Sequence, residues 1–393
     1  MIADRSVAAT AKLPARASSP WVGGAAWDAV WMQSALWLTP LALWLVRGSG
    51  ARSGPLDTVY FAITALFWIG HRLGSAWLAY GTEAYRPLLR AEPARFVVLP
   101  LLVTVACFAI FLPPDGALPF TRMERFIGLA ILDYAASTWH FGAQHFGALS
   151  LYRARAGYGG CSKARRRDRL FALGVGGALV FLADALAGAA AYQTLWLNRW
   201  LPAHWVSLLE PVRAGATLLL SAATATMLWA ELGTPHRSLP RVLYILGLAA
   251  MVAVALQPRS LFLFLAIWTS QHWILASGLM SRTPGQEPTP AGRMRRLLHA
   301  VNSRGWALAG FVMLMSVILL PLFEVEANWQ ETGPWYGDRI FGALAAGLRT
   351  SPFVPALLAL GFASGFVHYL MDRNVYRFSD ARVRIAARGL LTP

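Results

Sequence analysis

The chain has 393 residues, 56% of them apolar and only 14% charged, against the roughly 25% charge of an ordinary soluble domain. A water-soluble globular fold is excluded. Lys and Arg number 35 against 19 Asp and Glu, a balance of +16; in so apolar a chain this reads as basic residues gathered on the cytoplasmic side of a membrane, not as a nucleic-acid surface, and no nucleic-acid partner is expected.

Residues 1–26, with Arg5, Lys12 and Arg16 among Ala, Ser and Pro, lack the apolar stretch of a cleavable signal and read as a flexible N-terminal tail. Runs long enough to cross a bilayer follow at 27–47, 58–80, 96–112, 126–152, 170–193, 212–232, 241–257, 259–280, 305–323 and 352–372. Between the last two, segment 339–351 sets Phe341, Leu344 and Leu348 at helical spacing between Arg339 and Arg349, the pattern of an interfacial helix. Residues 373–393 form a basic cytoplasmic tail. The expected fold class is all-α: a polytopic membrane helix bundle of about ten transmembrane helices, with 27–372 as its single domain.

With both termini in the cytoplasm, 25 Lys and Arg fall on the inner side. Only six, Arg47, Arg52, Arg122, Arg125, Arg199 and Arg259, fall outside, and the loop from Glu324 to Asp338 carries acids and no base. That asymmetry fixes the expected orientation and requires an even number of crossings. The basic loop from Arg153 to Arg169 follows from the same rule, and it is also a place where anionic lipid or a soluble electron donor would be attracted. High Ala and Arg with almost no Lys point to a bacterial inner membrane. Cys107 lies in an apolar run and Cys161 in the basic loop, so no disulfide joins them.

Eight histidines are present. His204, His236 and His299 fall in predicted loops or span ends and are set aside as solvated. His71, His140, His272 and His368 lie 13, 14, 13 and 16 residues from the outer starts of four different runs, a spread of about 4 to 5 Å at 1.5 Å per residue. Ionisable side chains within a bilayer are costly and point into the bundle, so four imidazoles at one level define a candidate metal or haem site. His145 follows His140 by five, about 140° around a regular helix; it joins the site only if the helix unwinds at Gly142, as a π-bulge would allow, and otherwise is a histidine at the membrane boundary. Imidazole binds Fe, Cu and Zn, with its second nitrogen usually held by an oxygen. By helical spacing Asp372 serves His368, while Gln144 and Asp133 serve His140. Arg72 needs an anion, for which Asp372, Asp184 or a substrate headgroup are the candidates. Trp139, Trp268 and Trp273 read as packing and interfacial anchors.

The segment Ser137-Thr-Trp-His-Phe-Gly-Ala-Gln-His145 resembles the His-Phe-Gly segment of the Brp/Blh-type β-carotene oxygenase family, polytopic membrane proteins with histidine-bound non-haem iron. The resemblance covers only this short stretch. It implies that His140 is an iron ligand and that histidines on other helices complete the set, places that His71, His272 and His368 fill by position.

Three functions fit. The first is a membrane oxygenase or desaturase with Fe(II), or alternatively Cu, acting with O2 on a carotenoid, isoprenoid or lipid; here Asp372, Asp133, Gln144 and Arg72 orient and support the ligands. The second is a b-type haem electron-transfer protein with paired axial histidines. The third is a proton-coupled or cation transporter, although no internal repeat is detectable.

Overall fold

A computed structural model describes residues 19–46, 54–183, 186, 208–235, 237–257, 261–283, 292–329 and 335–391. Among these residues every regular element is helical. Among the described residues, four helices are long and apolar enough to cross a membrane: Ala94–Phe111, Glu210–Leu232, Gly305–Asn328 and Val354–Val375. Their outer faces carry large apolar side chains such as Leu101, Leu102 and Val105, or Leu218, Leu219 and Trp229. In water these would form an aggregation-prone patch; in lipid they face their solvent.

The described residues divide into two compact units, one drawn from within 19–60, 138–275 and 390–391 and the other from within 61–137 and 276–389. The first is built on α1 (Ala25–Val30), α2 (Ser34–Leu45), the start of α3 (Pro55–Ile63), the C-terminal part of α7 (Arg122–Arg155), α8 (Ser162–Leu173), α9 (Leu209–Leu232), α10 (Leu239–Ala255) and most of α11 (Leu261–Arg282). Helix α10 packs on α2, on α9 and on a π-turn at Gly174–Ala178. Asp28 secures the entry to α1 by accepting the N–H groups of Val22 and Gly23. Arg241, on α10, is fully buried and is paired with Asp168 on α8 and Glu231 on α9, and Arg153 of α7 pairs with the same Asp168.

The second unit holds α4 (Ile69–Gly81), α5 (Arg86–Ala91), α6 (Leu99–Phe111), the N-terminal part of α7, α12 (Arg293–Asn302), α13 (Gly305–Asn328), α14 (Tyr336–Phe341), α15 (Ala343–Arg349), α16 (Val354–Val375), α17 (Ala381–Ala386) and the start of α18 (Arg388–Leu391). Helix α16 is central, packing on α6, α13 and α4. One apolar cluster joins Leu78, Phe96, Met371 and Val375; another joins Phe111, Leu358 and Phe362. Because hydrocarbon gives helices no hydrophobic reason to associate, close approach through small residues carries much of the packing. A Cβ at Gly70 would stand 2.9 Å from the Val312 carbonyl, and one at Gly305 2.7 Å from the Ser281 carbonyl, so neither position has room for a larger residue.

Helix α7 starts on a capping box: Thr121 and Glu124 exchange hydrogen bonds, side chain to backbone, in both directions. The Thr121 N–H, seconded by its hydroxyl, holds the Glu124 carboxyl below the usual carboxylate range.

Several expectations are corrected. Segment 339–351 is not one interfacial helix: Gly342, at φ 53°, separates α14 from α15, a backbone state that glycine adopts readily. Residues 373–393 are not simply a tail, since α17 buries Val383 and Ala386 in the first apolar cluster of their unit. Helix α7 is regular across Gly142, and the π-turns lie instead at Thr64–Trp68, Ala94–Val98 and Gly174–Ala178. Gly142 serves packing: a Cβ there would stand 3.1 Å from the Leu173 backbone. The cysteines match the expectation, both being free. His299 is part of α12 and half-buried, not in a solvated loop, while His204 and His236 lie outside the described residues, as does residue 184, the Asp184 considered for Arg72.

Candidate metal-binding histidines

In the second unit, α4 and α16 bring His71 and His368 together. Their ring centroids are 4.7 Å apart and the rings nearly perpendicular, at 80°; both are buried. His71 Nδ1 donates to the Trp68 carbonyl, at the end of the π-turn that precedes α4. His368 Nδ1 is 3.5 Å from Ser75 Oγ and 3.6 Å from Asp372 Oδ1, one turn further along α16. Arg72 turns aside from these rings: its Nη1 donates to Glu326 Oε2 at 3.0 Å, to Ser364 Oγ at 3.2 Å and to the Gly361 carbonyl at 3.3 Å. Two glycines one turn apart on α16 make room for this polar group, because a Cβ at Gly361 would collide with Glu326 and one at Gly365 would stand 3.1 Å from Asp133 Oδ1. Asp133 accepts from the Tyr369 hydroxyl at 3.0 Å.

In the first unit, α7 and α11 bring His140 and His272 together, with ring centroids 5.1 Å apart and an angle of 85°. Both are buried. His272 Nδ1 donates to Gln144 Oε1 at 2.5 Å. Phe141 lies with its ring 4.0 Å from that of His272 and 4.2 Å from that of Trp268, and Trp268 lines an apolar pocket with Val180, Met251, Val252, Ala255 and Ile267. His145 is not part of this pair; its Nδ1 is 2.7 Å from the Tyr244 hydroxyl.

The hydrogen bonds fix the tautomers of two rings. A carbonyl or amide oxygen only accepts, so the protons of His71 and His272 sit on Nδ1 and the basic lone pair on Nε2. That is the form in which a histidine binds a metal, with an oxygen partner orienting the ring from behind. The donor set is imidazole and carboxylate with no thiolate, which suits iron, copper or zinc.

The sequence reading placed several residues differently. Gln144 serves His272 across the helix pair and not His140 on its own helix, because residues one turn apart both face the neighbouring helix and reach across it more easily than along it. Asp133 meets Tyr369 rather than His140. Arg72 is paired with Glu326, not Asp372. Glu326 was missed because the apolar run seemed to end at 323, whereas α13 continues to Asn328. It can do so because Glu324 accepts the N–H groups of Tyr336 and Gly337, and Glu326 has Arg72. Trp139 is exposed on the outer face, whereas Trp268 and Trp273 are buried.

Set against models of known protein families, curated proteins and solved structures, the chain matches none.

Proposed function

We propose that this protein is a multi-pass membrane enzyme in which histidines hold non-haem iron, and which uses O2 to oxygenate or desaturate a lipophilic substrate such as a carotenoid, another isoprenoid or a lipid. The observation that carries the reading is the pairing of buried imidazoles, His71 with His368 and His140 with His272, with two of the four tautomers set for coordination through Nε2. Ferrous iron with an open coordination position supplies O2 binding and attack on unactivated C–H or C=C bonds. The chain's part is to hold the ligand rings still. Trp68 and Gln144 fix two of them from behind, and Asp372 and Ser75 stand beside a third.

The count of basic residues supports ten crossings with both termini in the cytoplasm, and the composition supports a bacterial inner membrane. In that orientation the exposed Lys163, Arg165, Arg166 and Arg169 on α8 offer a docking face to an acidic soluble electron donor.

The test is elemental analysis and visible absorption of protein purified in mild detergent. About one or two iron or copper ions per chain are expected, falling sharply in both His140→Ala and His368→Ala and unchanged in His299→Ala. Metal content that survives both substitutions overturns the assignment. A Soret band replaces it with a b-type haem protein.

A further inference from the structure

His145 is left over from the imidazole pair of its unit, and its surroundings are unusual. The ring is 1% exposed, its partner Tyr244 on α10 is 3% exposed, and hydroxyl and Nδ1 are 2.7 Å apart. A phenol O–H is the better donor and an imidazole nitrogen the better acceptor, so the bond runs from Tyr244 to Nδ1 and the ring proton sits on Nε2. Among the described residues no hydrogen-bond partner meets that buried Nε2. Packing orients the ring instead: Gly176, in the π-turn, approaches so closely that a Cβ there would stand 2.5 Å from His145 Cδ2. A histidine kept only for structure would be expected to satisfy both nitrogens, because a buried unsatisfied N–H is destabilising.

The neighbourhood repeats the motif. Tyr152, seven residues further along the same face of α7, has its ring 5.9 Å from that of Tyr244. Its hydroxyl donates to Asp28 Oδ2 at 2.9 Å and accepts from Gln33 Nε2 at 3.0 Å. Two adjacent phenols thus each have a base within hydrogen-bond distance. Removing an electron from a phenol makes it a strong acid, and in a low-dielectric interior the electron leaves readily only when the proton has an acceptor already in place.

We propose that Tyr244 is a redox-active tyrosine with His145 as its proton acceptor. It gives one electron to a one-electron oxidant, the oxidised metal centre in the working enzyme. The phenolic O–H bond breaks as the proton crosses to Nδ1, leaving a neutral tyrosyl radical beside an imidazolium. The oxidant is reduced by one electron, Tyr244 is oxidised by one, and the positive charge stays on His145. A single electron from a reductant, with return of the proton, restores the pair. The link to the metal rests on the proposed function; the Tyr244–His145 chemistry does not.

The test supplies the oxidant from outside. Full-length protein in detergent is illuminated with a ruthenium polypyridyl and a sacrificial acceptor, frozen, and examined by electron paramagnetic resonance. A tyrosyl signal is expected that is lost in Tyr244→Phe and in His145→Gln, is retained in Tyr60→Phe, and forms more slowly in D2O. Ring-deuterated tyrosine should narrow the wild-type signal, a readout independent of whether any variant folds. No radical in the wild type, no narrowing, or an undiminished signal in a folded Tyr244→Phe protein overturns the proposal. Metal content measured on the same samples separates the two readings: a radical lost in Tyr244→Phe with no metal in the wild type leaves this inference standing and removes the enzyme assignment.

Discussion

Each unit supplies its paired histidines with side-chain partners of a different kind. Around His71 and His368 the neighbours are charged: Asp372 is one turn from His368, and Arg72, adjacent to His71 in sequence, is tied to Glu326. Within their own unit, His140 and His272 are partnered by an amide and aromatic rings. The charges of that unit are gathered elsewhere. Arg241 donates to Asp168 and to the Leu149 carbonyl, the latter nine residues beyond His140 on α7, about 13 Å of helix rise. Buried charge must be paired wherever it lies. Placed away from the imidazoles it is a clasp between helices; beside them it would also tune a cation bound there, as the proposed function requires.

Substitutions that remove one charge at a time test this contrast. The largest effect is expected for Asp168→Asn, which leaves Arg153 and Arg241 without the carboxylate they share; a loss of about 3–5 kcal/mol is typical of a broken buried pair. Thermal unfolding in detergent should show it, with the metal content of the folded fraction unchanged. Metal lost in step with Asp168 would erase the distinction between clasp and site.

Glu326→Gln should cost less, about 1.5–3 kcal/mol, because Arg72 keeps the Ser364 hydroxyl and the Gly361 carbonyl. Unlike Asp168→Asn it should also weaken metal retention, measured by competition with a chelator. Retention equal to wild type would show that the charges near His71 do no more than hold helices.

The smallest effects on folding, and the sharpest on binding, belong to the residues behind the rings. Asp372→Asn and Gln144→Leu should each lower metal affinity by about 10–100-fold with little change in stability. Asp372→Asn should lie at the upper end, since a carboxylate raises the basicity of its imidazole and an amide does so less. The reverse order in a chelator titration would refute the stronger role of the carboxylate over the amide while leaving the metal assignment intact.

Much of the candidate site was legible in the sequence, and the parts that were not share a cause. Burial of His71, His140, His272 and His368 followed from placing an ionisable group inside an apolar run, and Asp372 followed from its spacing to His368. Glu326 was hidden because a span is read as ending at its first acid, yet α13 runs on where Arg72 and two backbone N–H groups neutralise its carboxylates. The π-turn before α4 leaves no mark in composition. Gly142 was noticed for the right residue type and the wrong reason: it admits Leu173 and does not unwind α7.

Composition and periodicity by themselves determined that the chain is helical, that it has segments fit for a bilayer, and that a set of imidazoles is withdrawn from water. These are properties of one helix at a time, fixed by which side chains hydrocarbon tolerates. Which ring meets which, the departure of His145 to Tyr244 and the choice of Glu326 for Arg72 were decided only by tertiary structure. Each depends on the rotation of one helix against another and on glycines that let backbones approach, and a single helix's periodicity carries no information about its neighbour's phase.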